Sequence, residues 1–240
     1  MEVETFVDSA RERTLVTHVH LPATEAPAPL VVFAHGLSGH PKRFTRLLTA
    51  WAHAGYVAVA PVFPRTSDEA AGGVVFDDVV QQPADVSFVL DSLLRRTFAA
   101  RIEAERVAVA GFSLGGMTVY GVGDARVRAA IAMSGRMHPL VAPGLRDRPL
   151  LVAHGEHDEV VPYADGLAAY RRAAPPKALV TLHVDGHHEP FEDYGTDAGP
   201  VIDAVTTAFL DFTLRDDRTG AARLRAAAVA PLASFEADGI

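Results

Sequence analysis

Short apolar runs rich in valine alternate along the chain with longer stretches whose apolar positions recur every three to four residues. That is the pattern of an α/β sandwich, in which a largely parallel central sheet is buried on both faces by flanking helices. Segments 3–7 and 15–21 flank the polar SARER and read as an antiparallel hairpin at the sheet edge. The run LVVFA at 30–34 predicts the first buried strand. A helix over 44–54 follows, stops at Gly55 and leads to a second buried strand, 56–60, ended by Pro61.

Residues 63–83 have no clear period and contain Gly72-Gly73, so they read as a loop. Apolar residues at 86, 89, 90, 93 and 94 put one helical face on 85–96, with Asp85 as a charge complementing the helix N-terminus. Further strands are expected at 106–110, 129–133, 149–153 and 178–184, and helices at 164–173 and 201–214. The alanine-rich stretch 215–240 predicts a surface helix and then a loose terminus. With no repeat and no Ser/Gly-rich linker, 1–240 reads as one domain, about 216–240 being a peripheral C-terminal extension.

Composition narrows the chemistry. A chain of 240 residues buries about 70% of its unfolded surface, so it folds without a metal or a disulfide. The absence of cysteine removes disulfide scaffolds, thiolate zinc sites, iron–sulfur clusters and cysteine nucleophiles together. The net charge is −8 and the basic residues are scattered, which argues against nucleic acid as a partner. No apolar run approaches the roughly 20 residues of a membrane span, so no membrane partner is expected. The opening MEVETFVDSARER has no apolar core, and the expected location is cytoplasmic, although a secreted chain trimmed of its leader would read the same way.

The segment Gly111-Phe112-Ser113-Leu114-Gly115-Gly116 is a G-x-S-x-G placed directly after a predicted strand and before a helix, the context a nucleophile elbow requires. A bare G-x-S-x-G is common by chance, but three other strand ends agree with it. His35-Gly36-Leu37 follows the first buried strand, Asp158 lies in HGEHDEVVP after the strand at 149–153, and His187-His188 follows the last strand in GHHEPF. The chain order nucleophile, acid, histidine is that of a hydrolase triad built on a parallel sheet.

On these motifs, and on the blocks PLVVFAHGLSGHPKRF, LLTAWAHAGYVAVAP and QPADVSFVLDSLL, the sequence resembles the α/β-hydrolase superfamily over almost its whole length. More narrowly it is similar to small bacterial serine esterases grouped around platelet-activating-factor acetylhydrolase-like, dienelactone-hydrolase-like and polyester-hydrolase (cutinase-like) proteins. The resemblance implies an α/β-hydrolase fold and a serine esterase that cleaves small-molecule carboxylic esters through an acyl-serine intermediate and needs no cofactor. Thioester or amide chemistry on the same triad, or a non-catalytic binding scaffold, are the alternatives. Three departures stand out. True dienelactone hydrolases use a cysteine nucleophile. Cutinase-type polyester hydrolases usually place an aromatic residue where Leu37 stands and a tryptophan after the strand ending at Met133, where this chain reads SGRMHP. They also commonly carry disulfides.

The expected roles are Ser113 as nucleophile, His187 as general base and Asp158 as the acid that orients it. Either His187 or His188 can face the elbow; in the resembling families the base directly follows a glycine, which favours His187. Asp185 is an alternative acid, but only Asp158 fits their HGxxDxxVP pattern. Backbone N–H groups of Leu37 and Leu114 are the expected oxyanion hole. Phe63 and Met137 are candidate walls of the substrate pocket, with Phe44 and Phe112 as weaker ones. His154, His157, His183, His187 and His188 come from separate segments without a compact ligand spacing, so no metal site is expected. The spacing of the triad leaves no room for a large cap beyond 134–148, so the site should be open.

Overall fold

The computed structural model describes every residue except 96–98, 142 and 145–146. Among the described residues, nine strands form one sheet: β1 (Glu2–Asp8), β2 (Arg13–His20), β3 (Ala28–Ala34), β4 (Val57–Val62), β5 (Ile102–Phe112), β6 (Val127–Met133), β7 (Leu150–His157), β8 (Lys177–Asp185) and β9 (Ala233–Asp238). Their order is β1-β2-β4-β3-β5-β6-β7-β8-β9. From β4 to β8 all neighbours run parallel, while β1–β2, β2–β4 and β8–β9 are antiparallel.

Period-two alternation within each strand sorts the core into two layers. Val31 and Phe33 of β3 face α1 (Thr45–His53), α5 (Ala198–Leu214) and α6 (Thr219–Ala227), where Leu47, Trp51 and Phe209 meet them. Leu30 and Val32 face the other layer, made by α2 (Gln82–Leu94), α3 (Leu114–Gly121) and α4 (Tyr163–Arg172). Strands buried on both faces explain the unbroken valine-rich runs of the sequence.

Several elements differ from the sequence pattern. Pro61 lies inside β4 rather than ending it; β3 pairs with β4 only as far as Val59, so beyond that point a residue lacking an N–H forfeits little. Within the expected loop 63–83, a 3-10 turn spans Phe76–Gln81 and runs straight into α2, which accepts Pro83 in its first turn. Arg96, the expected end of that helix, lies outside the described residues. The C-terminus is not loose. β9 pairs with β8 from Leu182↔Ala233 to Lys177↔Asp238, and its ASFEAD alternates Ala233, Phe235 and Ala237 inward with polar residues outward. The short run and its outward acids suit an edge strand.

Asp85 does more than complement a helix end. It is fully buried and accepts from Arg13 Nε at 2.7 Å, Arg13 Nη2 at 2.6 Å and Arg11 Nη1 at 2.9 Å. Arg13 also grips Asp78 with both Nη atoms, at 2.9 and 2.7 Å. This network ties the edge hairpin to the 76–94 segment. Removing one partner leaves a buried charge uncompensated, so Asp85→Ala is expected to cost about 3–5 kcal/mol. Urea unfolding of the variant against the native chain measures it.

Candidate active site

The elbow is a consequence of close packing. A Cβ on Gly111 would stand 2.2 Å from the Gly115 carbonyl oxygen, and one on Gly115 would stand 2.0 Å from the Ala34 carbonyl oxygen of β3. Only glycine at both positions lets α3 begin this close to β5 and β3. The chain therefore turns from strand to helix through a single residue, Ser113, held at φ 55° and ψ −115°. Such a conformation in a non-glycine residue costs on the order of 1–3 kcal/mol. Ser113 N–H donates to the Met133 carbonyl at 2.9 Å, which anchors the turn to β6.

Ser113, Asp158 and His187 come together from the carboxyl ends of β5, β7 and β8. Asp158 Oδ2 and His187 Nδ1 are 2.7 Å apart, and His187 Nε2 and Ser113 Oγ are 2.8 Å apart. An ionised carboxylate only accepts, so Nδ1 carries the proton and donates to Asp158; a neutral ring then presents Nε2 as acceptor to the serine hydroxyl. The other carboxylate oxygen, Oδ1, accepts from the N–H groups of Val160 (2.9 Å) and Val161 (2.8 Å). Burial pushes the Asp158 pKa up, but the bonds from His187, Val161 and Val160 outweigh it and hold the acid below its ordinary value.

His154, missed as a functional residue in the sequence, supports this turn from behind. It is wholly buried, burial lowers its pKa and keeps it neutral, and its Nε2–H donates to the Val161 carbonyl at 2.9 Å. His35 does the same on the other side of the site. Burial depresses its pKa to about 4; Nδ1–H donates to the Gly36 carbonyl at 2.8 Å and Nε2 accepts the Phe63 N–H at 3.0 Å. The signal for both was a histidine at a strand end followed by glycine.

His188 points elsewhere. Its Nδ1 pairs with Glu192 Oε1 at 2.8 Å, a bond that raises its pKa, and the ring packs edge-on against Phe112. The remaining histidines of the cluster each have their own partner: His183 with Glu156 at 2.7 Å and His157 with Asp185 at 3.0 Å. His40, Asp68 and Glu69 bring ligand-type atoms within 4.8 Å of one another. His40 Nδ1, however, accepts the Lys42 N–H at 3.1 Å, so its Nε2 keeps the proton and offers a metal no lone pair.

Gly36, the residue before Leu37, lies against the serine, a Cβ there falling 3.3 Å from Ser113 Cβ. Leu114 is the first residue of α3, where the N–H has no acceptor within its own helix. Of the candidate pocket walls, Phe63 is fully buried against His35, with ring centroids 5.1 Å apart, and belongs to the core; Phe44 and Phe112 are equally buried. The Phe63 side chain is therefore not a pocket wall. Its position right after β4 puts it under the loop, not on it. Met137 is exposed and lines a cavity of about 370 Å³ with Tyr120, Arg136 and Arg172, away from the three residues of the hydrogen-bonded chain.

A mostly parallel sheet wrapped by helices, with a strained serine between strand and helix and no large cap among the described residues, defines an α/β-hydrolase. The chain belongs to the dienelactone hydrolase family, whose model matches residues 16–211, from β2 to α5, and it is a hydrolase of α/β type. No individual curated protein matches the sequence. Among the described residues no helix is long and apolar enough to cross a membrane.

Two outcomes are expected. Gly115→Ala forces backbone apart and should cost about 1–3 kcal/mol, read by denaturant unfolding. Because the Asp158 pKa is lowered from 3.8 on folding, its stabilisation is complete above that value and lost as pH falls through the folded one. Asp158→Asn should therefore flatten the acid-side fall in unfolding free energy, measured by urea titrations across the acid range.

Proposed function

We propose that the protein is a serine hydrolase that cleaves carboxylic esters through an acyl-serine intermediate. One observation carries the reading: a single imidazole, His187, lies 2.8 Å from Ser113 Oγ through one nitrogen and 2.7 Å from Asp158 through the other. A serine hydroxyl is a weak nucleophile at neutral pH and needs such a base. His187 takes the Oγ proton as Oγ attacks the ester carbonyl. Asp158 stabilises the imidazolium that results.

The oxyanion that develops on the carbonyl accepts from the N–H groups of Leu37 and Leu114, each such donor being worth about 3 kcal/mol in the transition state. The N-terminal end of α3 adds a favourable field for the same charge. His187 then returns the proton to the leaving alkoxide. Water, deprotonated by the same ring, releases the acid and restores Ser113. Every step uses side chains and backbone of this chain alone. Ser113 thus stands in for the cysteine nucleophile of true dienelactone hydrolases, and the base must work harder because a hydroxyl is far less acidic than a thiol.

Ser113→Ala is expected to abolish hydrolysis of p-nitrophenyl butyrate and labelling by a fluorophosphonate. Asp158→Asn should lower kcat by about 10⁴-fold with little change in KM. His187→Gln should be as inactive as the serine variant, whereas His188→Gln should keep turnover within a few-fold of the native chain. Activity surviving in Ser113→Ala would refute the assignment.

A further inference from the structure

Apolar side chains are exposed unevenly over the molecule. Among the described residues, twelve large ones are well exposed, and eight of these lie in loops leaving the carboxyl ends of the parallel strands. Leu37 follows β3, and Val74, Val75 and Val80 follow β4. Leu140 follows β6, Val160 follows β7 and Tyr194 follows β8, whereas Met137, also after β6, turns toward Tyr120, Leu150 and Arg172, away from the elbow. The other four sit on β1 or just before β9, at the lateral edges of the sheet. Apart from Met137, the described residues of the loops at the amino ends of the parallel strands expose none. Single exposed apolar residues are ordinary; a ring of them on one edge is not.

That edge carries Ser113. In the sheet order, β5 has β3 and β4 on one side and β6, β7 and β8 on the other, so the apolar loops flank the serine in both directions. The ring is also continuous with buried apolar structure. Val79, in the 3-10 turn after β4, packs on Leu114 and Met117 of α3 and on Val141, and Phe76 contacts His138 edge-on at 5.7 Å. The two sides are thus braced against each other beside the elbow.

Charge along the same edge has one dominant sign. Asp68, Glu69, Asp77, Glu159, Glu189 and Asp193 are exposed there, against Lys42, Arg43 and Arg65. Arg43 is moreover engaged with Asp68 at 3.0 Å. An anionic substrate approaching Ser113 meets net repulsion.

We propose that this rim binds the substrate, and that the substrate is an uncharged ester with extended apolar groups on both the acyl and the alcohol side of the scissile carbonyl. The inference rests on the reading of Ser113 as nucleophile. Apolar groups lying across Leu37, residues 74–80, Leu140 and Val160 lose contact with water as the carbonyl reaches the serine, and a short or charged ester gains none of this binding.

The test compares kcat/KM of the native chain for p-nitrophenyl acetate, p-nitrophenyl octanoate and mono-p-nitrophenyl succinate below their solubility limits, and for methyl against octyl butanoate by proton release. Octanoate over acetate, and octyl over methyl, should each be favoured by at least about tenfold, with the succinate poorest. Val80→Asp and Leu140→Asp alter exposed side chains, and an unchanged unfolding midpoint reports an intact fold. Each should lower the octanoate value about fivefold or more, and by a clearly larger factor than the acetate value. Acetate turnover with no preference for the longer esters, a preference for the succinate, or variants that affect both chain lengths equally would overturn this inference alone. No acetate turnover at all, or turnover surviving in Ser113→Ala, would overturn the hydrolase reading and this inference with it.

Discussion

The start of α3 sits so close to β3 that the space a Cβ would need on Gly115 is already taken by the Ala34 carbonyl. Everything at the carboxyl edge of the sheet follows from that approach. It leaves one residue to turn the chain from β5 into α3, and this residue, Ser113, takes a conformation that costs energy in isolation. The two packed layers on either side of the sheet hold it there. The same closeness sets Gly36 against Ser113.

Around the elbow, hydrogen bonds give His187, His154 and His35 each one defined tautomer. Asp158 accepts two backbone N–H bonds on one oxygen and the His187 ring on the other. His154 holds the carbonyl of the same turn and His35 links the loops after β3 and β4. Both are buried and neutral. Unpaired charge is thereby kept out of the interior next to the one carboxylate that carries it, and the geometry of His187 is fixed before any substrate arrives. Pre-organisation of this kind is what makes a hydroxyl useful as a nucleophile.

The ends of the sheet are stabilised differently from its middle. The parallel strands from β4 to β8 are held by two apolar layers, whereas the β1–β2 hairpin joins only one of them, through Phe6, Leu15 and Val19, and is tied in further by Arg13 between Asp78 and Asp85. At the opposite edge, α6 reaches α5 through Arg223 and Asp211 at 2.9 Å, and β9 closes the sheet. The apolar rim around Ser113 is open to solvent, and no helix covers it in the described chain.

The strand and helix series, the elbow and the order of Ser113, Asp158 and the histidine pair were legible in the sequence, because period and motif spacing are local properties of the chain. What local pattern missed shares one feature. Pro61 is tolerated because β3 stops pairing with β4 at Val59, Asp85 is buried by arginines more than 70 positions away, and Phe63 turns inward beneath His35. β9 was hidden by alanines whose small side chains blur the alternation. The sequence alone determined that a serine elbow, an acid and a histidine stand at the ends of three strands, in that order along the chain. Which histidine meets the serine was decided only by the tertiary structure, because His187 and His188 are chemically identical neighbours. Their difference is that one ring reaches Asp158 on β7 and the other Glu192 in its own loop.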